Sequence, residues 1–285
     1  MAKKTKKKKA KPIQAWAFID TNIYLDFYRS NNEARIPLLE KIQEISDRII
    51  STYQVQMEFL KNRQNELLKS VQQIKNPNVQ IPGVMGDGHI STTTNKIKKE
   101  SKKRDKYLVS RVENMLTQPN SHDQVYQALD AVFTSPNDHV LKRDMDIRHK
   151  IKRLAWKRFM LGYPPRKNND TSVGDALNWE WIINCAVRMQ GRFYIVSRDG
   201  DFGCTYKNKQ YLNDQLKLEF RERVGKKSII YTHRPSDVLK ALEIKVTEEE
   251  LKAETEMIQN HKADEKAPNQ SAYDNEFRAP RFTHA

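Results

Sequence analysis

Short runs of consecutive apolar residues alternate along the chain with longer stretches whose apolar residues recur every three or four positions. Trp16 to Ile19 is the first run, closed by Asp20-Thr21-Asn22, and Arg48 to Ser51, Phe193 to Ser197 and Ser228 to Thr232 repeat the form. Runs this short, apolar without alternation, predict strands buried on both faces. The longer stretches predict helices. Asp20 or Asn22 caps one that continues through Ile23 to about Tyr28. Tyr53 to Ile74 carries a stripe of Val55, Phe59, Leu67 and Val71, widened by Leu60 and Leu68. Lys96 to Leu116, Asp123 to Phe133 and Asp138 to Leu161 follow, the last with Ile147, Ile151, Leu154 and Arg158 on one face. Ser172 reads as an N-cap with Asp175 three residues on, opening a helix striped by Asp175, Trp179, Ile182, Ala186 and Met189. Residues 211–223 and Ser236 to Leu242 predict two more. Asn76 to Asn95, rich in Gly, Pro, Ser, Thr and Asn, reads as a loop, and Tyr163-Pro-Pro-Arg-Lys as an extended connector.

Buried strands separated by helices predict an α/β fold with a mostly parallel sheet covered on both faces. In such sheets ligands bind beyond the carboxyl ends of the strands. The pattern divides the chain into a tail over 1–12, a folded domain over 13–245 with a helical insertion at 72–166, and an acidic helix with an extended tail over 246–285. No internal repeat is present.

Charge sharpens this picture. The 285 residues hold 51 Lys and Arg against 36 Asp and Glu, a formal charge of +15. It is regional: residues 1–11 carry +7, Lys96 to Lys106 +5, Lys142 to Arg158 +6, and Arg166 with Lys167 +2, whereas Thr247 to Ala285 carries −4. A basic helical insertion predicts a polyanionic partner, most simply nucleic acid. Cys185 and Cys204 are the only cysteines; without metal-ligand spacing they read as small buried thiols in a reducing compartment. No apolar run reaches the ~20 residues of a membrane span, and the lysine-rich start has no hydrophobic stretch behind it, so the expected location is cytoplasmic.

The candidate chemistry lies in carboxylates at the strand ends. Asp20 follows the first strand, Asp199 follows the Phe193–Ser197 strand, Glu58 lies in the second turn after Arg48–Ser51, and Asp175 lies in the first turn of its helix. Singly, each has a plain structural role: a helix cap, a solvated helix residue, a capping-box partner, a tight turn. Brought together, they repel unless a divalent cation joins them. Hard oxygen ligands suit Mg²⁺ or Mn²⁺, which activates water toward a phosphodiester. The seven histidines show no ligand pairing and read as surface or packing residues. Tyr24, Tyr53, Trp179 and Phe202 lie beside these positions; aromatics at helical spacing read first as core, and base stacking is their second role.

FIDTNIYLDF (Phe18 to Phe27), QMEFLKN (Gln56 to Asn62), SVGDALNWEW (Ser172 to Trp181) and YIVSRDGDFG (Tyr194 to Gly203) resemble, in order, the motifs of PIN-domain nucleases. The resemblance is to the bacterial PIN-like subgroup with a GDALNWEW-type segment and a helical insertion. It implies a three-layer α/β/α PIN-like fold and a Mg²⁺ or Mn²⁺ site made by Asp20, Glu58, Asp175 and Asp199. Asp201 is implied as a support behind these ligands or an alternative ligand, and Asn22 and Ser197 as polar supports. Arg166, Lys167 and Arg198 are the residues expected to hold substrate phosphates. Asp26 and Glu180 stand beside the motifs but outside this set, Glu180 lying about 140° round the helix from Asp175. The implied activity is a metal-dependent endoribonuclease, with RNA preferred to DNA. A PIN-like scaffold that binds RNA or protein without hydrolysis, a DNA-cutting enzyme, and a toxin or defence nuclease are the alternatives. A homo-oligomer or a partner protein stays open.

Overall fold

The structure is a computed structural model that describes residues 14–30, 32–74, 88–165 and 172–266. The lysine-rich start, most of 76–95, Arg166 with Lys167, and the tail from residue 267 lie outside the described residues.

Strand β1 (Ala15–Ile19) runs directly into helix α1 (Thr21–Arg29), with Asp20 between them. Then come α2 (Arg35–Glu44), β2 (Ile49–Thr52) and α3 (Tyr53–Ile74). The insertion contains α4 (Gly88–Thr117), a short α5 (Pro119–His122), α6 (Gln124–Thr134), a two-residue strand β3 (Val140–Leu141) and α7 (Ile147–Met160). The chain continues through α8 (Gly174–Arg188), β4 (Arg192–Val196), a hairpin of β5 (Gly203–Tyr206) and β6 (Lys209–Leu212), and α9 (Asp214–Val224). It closes with β7 (Ser228–Thr232), α10 (Pro235–Ala241) and α11 (Glu248–Lys266).

Five strands form one parallel sheet in the order β3-β2-β1-β4-β7, and β5 pairs with β6 separately. Their apolar side chains explain the parallel form: Phe18, Ile19, Ile49, Ile50, Ile195 and Val196 are all buried, so both faces of the sheet need cover. Helices α7, α8 and α9 pack together, α1 packs on α6 and α11, and α3 touches both α1 and α8. The result is the three-layer α/β/α arrangement. No helix among the described residues is long and apolar enough to cross a membrane.

Several expectations need correction. Helix α4 begins at Gly88, eight residues before Lys96. The stretch from Asp138 is not continuously helical: Val140 and Leu141 pair with Ser51 and Thr52 as an edge strand, and the helix starts at Ile147. Residues 211–212 belong to β6, not to a helix. On α3, Leu60 and Leu68 are 45% and 50% exposed, and the polar side chains of Arg63 and Glu66 are buried instead. These two sit inside because each has a charge partner: Arg63 Nε donates to Asp123 Oδ2 at 2.7 Å, and Arg29 Nη2 to Glu66 Oε1 at 2.9 Å. Cys204 is exposed on β5, while Cys185 is buried.

Candidate active site

The sheet reverses its winding at β1, which has β2 on one side and β4 on the other. The crevice beyond their carboxyl ends is where this topology leaves room for a ligand. Ile19 pairs with Val196 in register, so the next residues, Asp20 and Ser197, leave the sheet side by side. Asp20 N donates to the Val196 carbonyl at 2.9 Å, and Ser197 Oγ donates to Asp20 Oδ2 at 2.6 Å. Thr21 N donates to Asp20 Oδ1 at 2.7 Å, so Asp20 is the N-cap of α1 as well.

Glu58 reaches the same place from α3. Gln54 Nε2 donates to Glu58 Oε1 at 2.7 Å from one turn earlier, and Thr21 Oγ1 donates to Glu58 Oε2 at 3.2 Å. The carboxylate lies against Gly174, where a Cβ would stand 2.7 Å from Glu58 Oε1. The absence of a side chain at Gly174 lets Glu58 lie this close to the start of α8, one residue before Asp175. Val173, not Ser172, is the N-cap of α8; Ser172 Oγ accepts from Gly174 N at 3.2 Å.

The turn after β4 supplies the remaining acids. Asp199 N donates to Ser197 Oγ at 3.0 Å, Asp201 N donates to Asp199 Oδ1 at 3.3 Å, and Tyr231 Oη donates to the Asp199 carbonyl at 2.8 Å. One carboxylate oxygen from each of Asp175, Asp199 and Asp201 lies within 4.8 Å of the other two. Asp201 is thus as close to the centre as the residues it was expected to support. Burial pushes the Asp20 carboxyl up to about 6; Ser197 and Thr21 N hold it down, while Asp199 and Glu58 push it up. Burial, with the negative charge of Asp199 and Asp20, likewise raises the Tyr231 phenol above its ordinary range.

Five carboxylates from four elements therefore surround one crevice, all offering hard oxygen donors and held by neutral hydrogen-bond donors. That donor set fits a divalent cation of the hard class. Asn22 is half-buried in the first turn of α1, beside these groups in the chain. Arg198 is different. Its side chain is 3% exposed and ion-paired to Asp26, itself buried on α1, so it is turned away from the crevice. Glu180 is also buried, paired to Arg158 at 3.1 Å and to Arg223 at 2.7 Å. Thr21, Gln54, Gly174 and Tyr231 complete the site without having been singled out. Gln54 alone left a readable trace, standing four residues before Glu58 on a helix.

No curated protein and no solved structure matches the chain. A family model described as PIN domain matches residues 17–202, a span that includes every one of these acids, and the chain belongs to the PIN domain family.

Proposed function

We propose that this protein is a metal-dependent endoribonuclease that hydrolyses RNA phosphodiester bonds with Mg²⁺ or Mn²⁺. PIN domains are in general nucleases. The observation that carries the reading is the approach of Asp175, Asp199 and Asp201 within 4.8 Å, with Asp20 and Glu58 around them. Asp20, Glu58, Asp175, Asp199 and Asp201 would hold the cation. When bound, it supplies neutralisation of the phosphodiester charge and activation of water. The chain's own groups prepare for this. Ser197 and Thr21 N fix the two oxygens of Asp20, Gln54 and Thr21 fix those of Glu58, and Tyr231 fixes the backbone of Asp199. The assignment of RNA over DNA rests on the family likeness, and a cytoplasmic setting is in keeping with two free cysteines.

The test pairs a calorimetric Mn²⁺ titration with cleavage of matched RNA and DNA strands. Wild type is expected to take up Mn²⁺ and cut RNA, and Asp199→Asn to lose cutting by at least about a hundredfold while staying folded. Undiminished cutting by Asp199→Asn overturns the mechanism. Cutting of DNA alone overturns the substrate assignment, and a protein that binds RNA without taking up Mn²⁺ is a scaffold.

A further inference from the structure

A cavity of about 370 Å³ opens beside the acid cluster, lined by Tyr53, Gln54, Met57, Arg143, Arg148, His149 and Lys152. Its place follows from the fold. Tyr53 and Gln54 open α3 directly after β2, Arg143 follows β3, and β2 and β3 are parallel neighbours. Both strands therefore end at the sheet edge from which Asp20 and Asp199 also emerge. Arg148 and Lys152 are four residues apart on one face of α7. Gln54 belongs to cavity and acid cluster together, since it lines the one and its amide holds Glu58 Oε1 at 2.7 Å in the other. Four residues of α3 amount to about 6 Å of rise, so the two sites adjoin.

The charges of this cavity differ from those that fasten the fold. Arg29, Arg63, Arg158, Arg188 and Arg223 each form an ion pair with a carboxylate. Among the described residues, Arg143, Arg148 and Lys152 face the cavity with no such pair, and its wall contains no carboxylate. Three cations gathered without counter-charge form a seat for an anion. Tyr53 and Met57 supply the apolar part, and Tyr53 its aromatic face. Tyr24, Trp179 and Phe202 are at most 1% exposed and belong to the core, whereas Tyr53 is half-buried and faces this cavity. Burial raises its phenol while Arg148 and Arg143 pull it back, as expected of a ring set among guanidinium groups. An aromatic face flanked by cations takes a base by stacking and its phosphate by charge. The volume lies at the small end of ligand pockets, enough for one nucleotide and too narrow for a duplex, whose bases are already stacked on both sides.

We infer that this cavity holds one unpaired nucleotide of the substrate, its phosphate on Arg143, Arg148 and Lys152 and its base against Tyr53, and so selects single-stranded nucleic acid. That the nucleotide flanks the bond to be cut rests on the nuclease reading; its binding does not. The deciding measurement is fluorescence anisotropy of the full chain in EDTA, over a salt series. The probes are a labelled single-stranded RNA, the same RNA annealed into a duplex, and a strand carrying abasic positions.

R143Q/R148Q/K152Q is expected to weaken single-strand binding at least about tenfold. It should also flatten the plot of log K against log salt by about 2, because each phosphate contact on a single strand contributes about 0.7. Tyr53→Leu should cost about fivefold or more on the intact strand and much less on the abasic one. K150Q/R153Q/K157Q removes as many charges from α7 residues outside the cavity and, taking away general attraction but no seat, should cost at least about threefold less affinity than the cavity variant. Equal losses in the two triple variants overturn the pocket, as does duplex bound as tightly as single strand, or Tyr53→Leu without effect. Thermal melts show that each variant is folded, and glutamine keeps the helix propensity of α7. Cleavage with Mn²⁺ is scored separately: an uncut strand overturns the nuclease reading, whereas the pocket stands or falls on anisotropy alone.

Discussion

Ser197 Oγ donates to Asp20 Oδ2 at 2.6 Å across the seam between β1 and β4, and this bond opposes the burial that pushes Asp20 up to about 6. The folded protein therefore keeps a proton on Asp20 that the unfolded chain, near pH 3.9, has already released. Between about pH 4 and 6 the native state binds more protons, so the Asp20 contribution to stability is present at pH 4 and lost as pH rises through 6.

Asp20→Asn removes this titration. Without a divalent cation, the stability of wild type relative to Asp20→Asn should fall by about 2 kcal/mol between pH 4 and 7. Urea unfolding of both proteins in EDTA at the two pH values checks it. Excess Mn²⁺ should restore wild type at pH 7 and leave Asp20→Asn much less affected, because ligand bound only to the native state stabilises it. A difference that is flat with pH contradicts the assigned burial of Asp20.

Gly174→Ala tests the approach of Glu58 to α8. The added Cβ would stand 2.7 Å from Glu58 Oε1 and 2.9 Å from Gln54 Nε2, both at the ends of flexible side chains. Those side chains can swing away, so stability should change by less than about 1 kcal/mol. Glu58 would then leave its place beside Asp175, and Mn²⁺ affinity is expected to fall about tenfold. Calorimetric titration together with a thermal melt separates the two effects.

The strands that build the crevice were legible because β1, β2, β4 and β7 are short apolar runs with nothing else to do but lie buried. Val140 and Leu141 were not: two apolar residues followed by a charged stretch fit a helix equally well, and only pairing with Ser51 and Thr52 makes them a strand. The hairpin of β5 and β6 is largely exposed and polar, so no buried face marks it in the sequence. Four acids were readable from their positions at strand ends and in the first two turns of helices. Direction was not. Arg198 and Asp199 are neighbours in the chain, yet one points into the protein at Asp26 and the other lies at the crevice, as successive residues leaving a strand commonly do. The cation pocket draws on α3, the segment after β3 and α7, so it exists only once the insertion has folded back.

Arg198→Met distinguishes a structural role from a substrate-binding one. Arg198 pairs with Asp26, which also accepts from Arg29 Nη1 at 3.1 Å. Losing Arg198 leaves Asp26 buried with one cation in place of two, and stability should drop by about 2 kcal/mol, less than for a pair broken completely. Single-stranded RNA affinity, measured on folded protein, should change less than about twofold. A large affinity loss with unchanged stability would return Arg198 to the substrate path.

Glu180→Ala probes how the basic insertion is fastened to the domain. Glu180 on α8 binds Arg158 of α7 at 3.1 Å and Arg223 of α9 at 2.7 Å. Arg158 also pairs with Glu219 and donates to the Pro164 carbonyl, and Trp179 Nε1 donates to Glu219 Oε2 at 3.1 Å. Arg158 and Glu180 are each 4% exposed, so removing the carboxylate strands a buried guanidinium in part, at a cost of about 3 kcal/mol in urea unfolding. Glu180→Gln keeps the shape and some hydrogen bonding and should cost about half as much. Because α7 also carries Arg148 and Lys152, loosening it displaces the nucleotide seat. Glu180→Ala should therefore weaken single-stranded RNA binding even under conditions where the protein is fully folded, while Mn²⁺ affinity, set by acids with which Glu180 forms no ion pair, stays within about twofold.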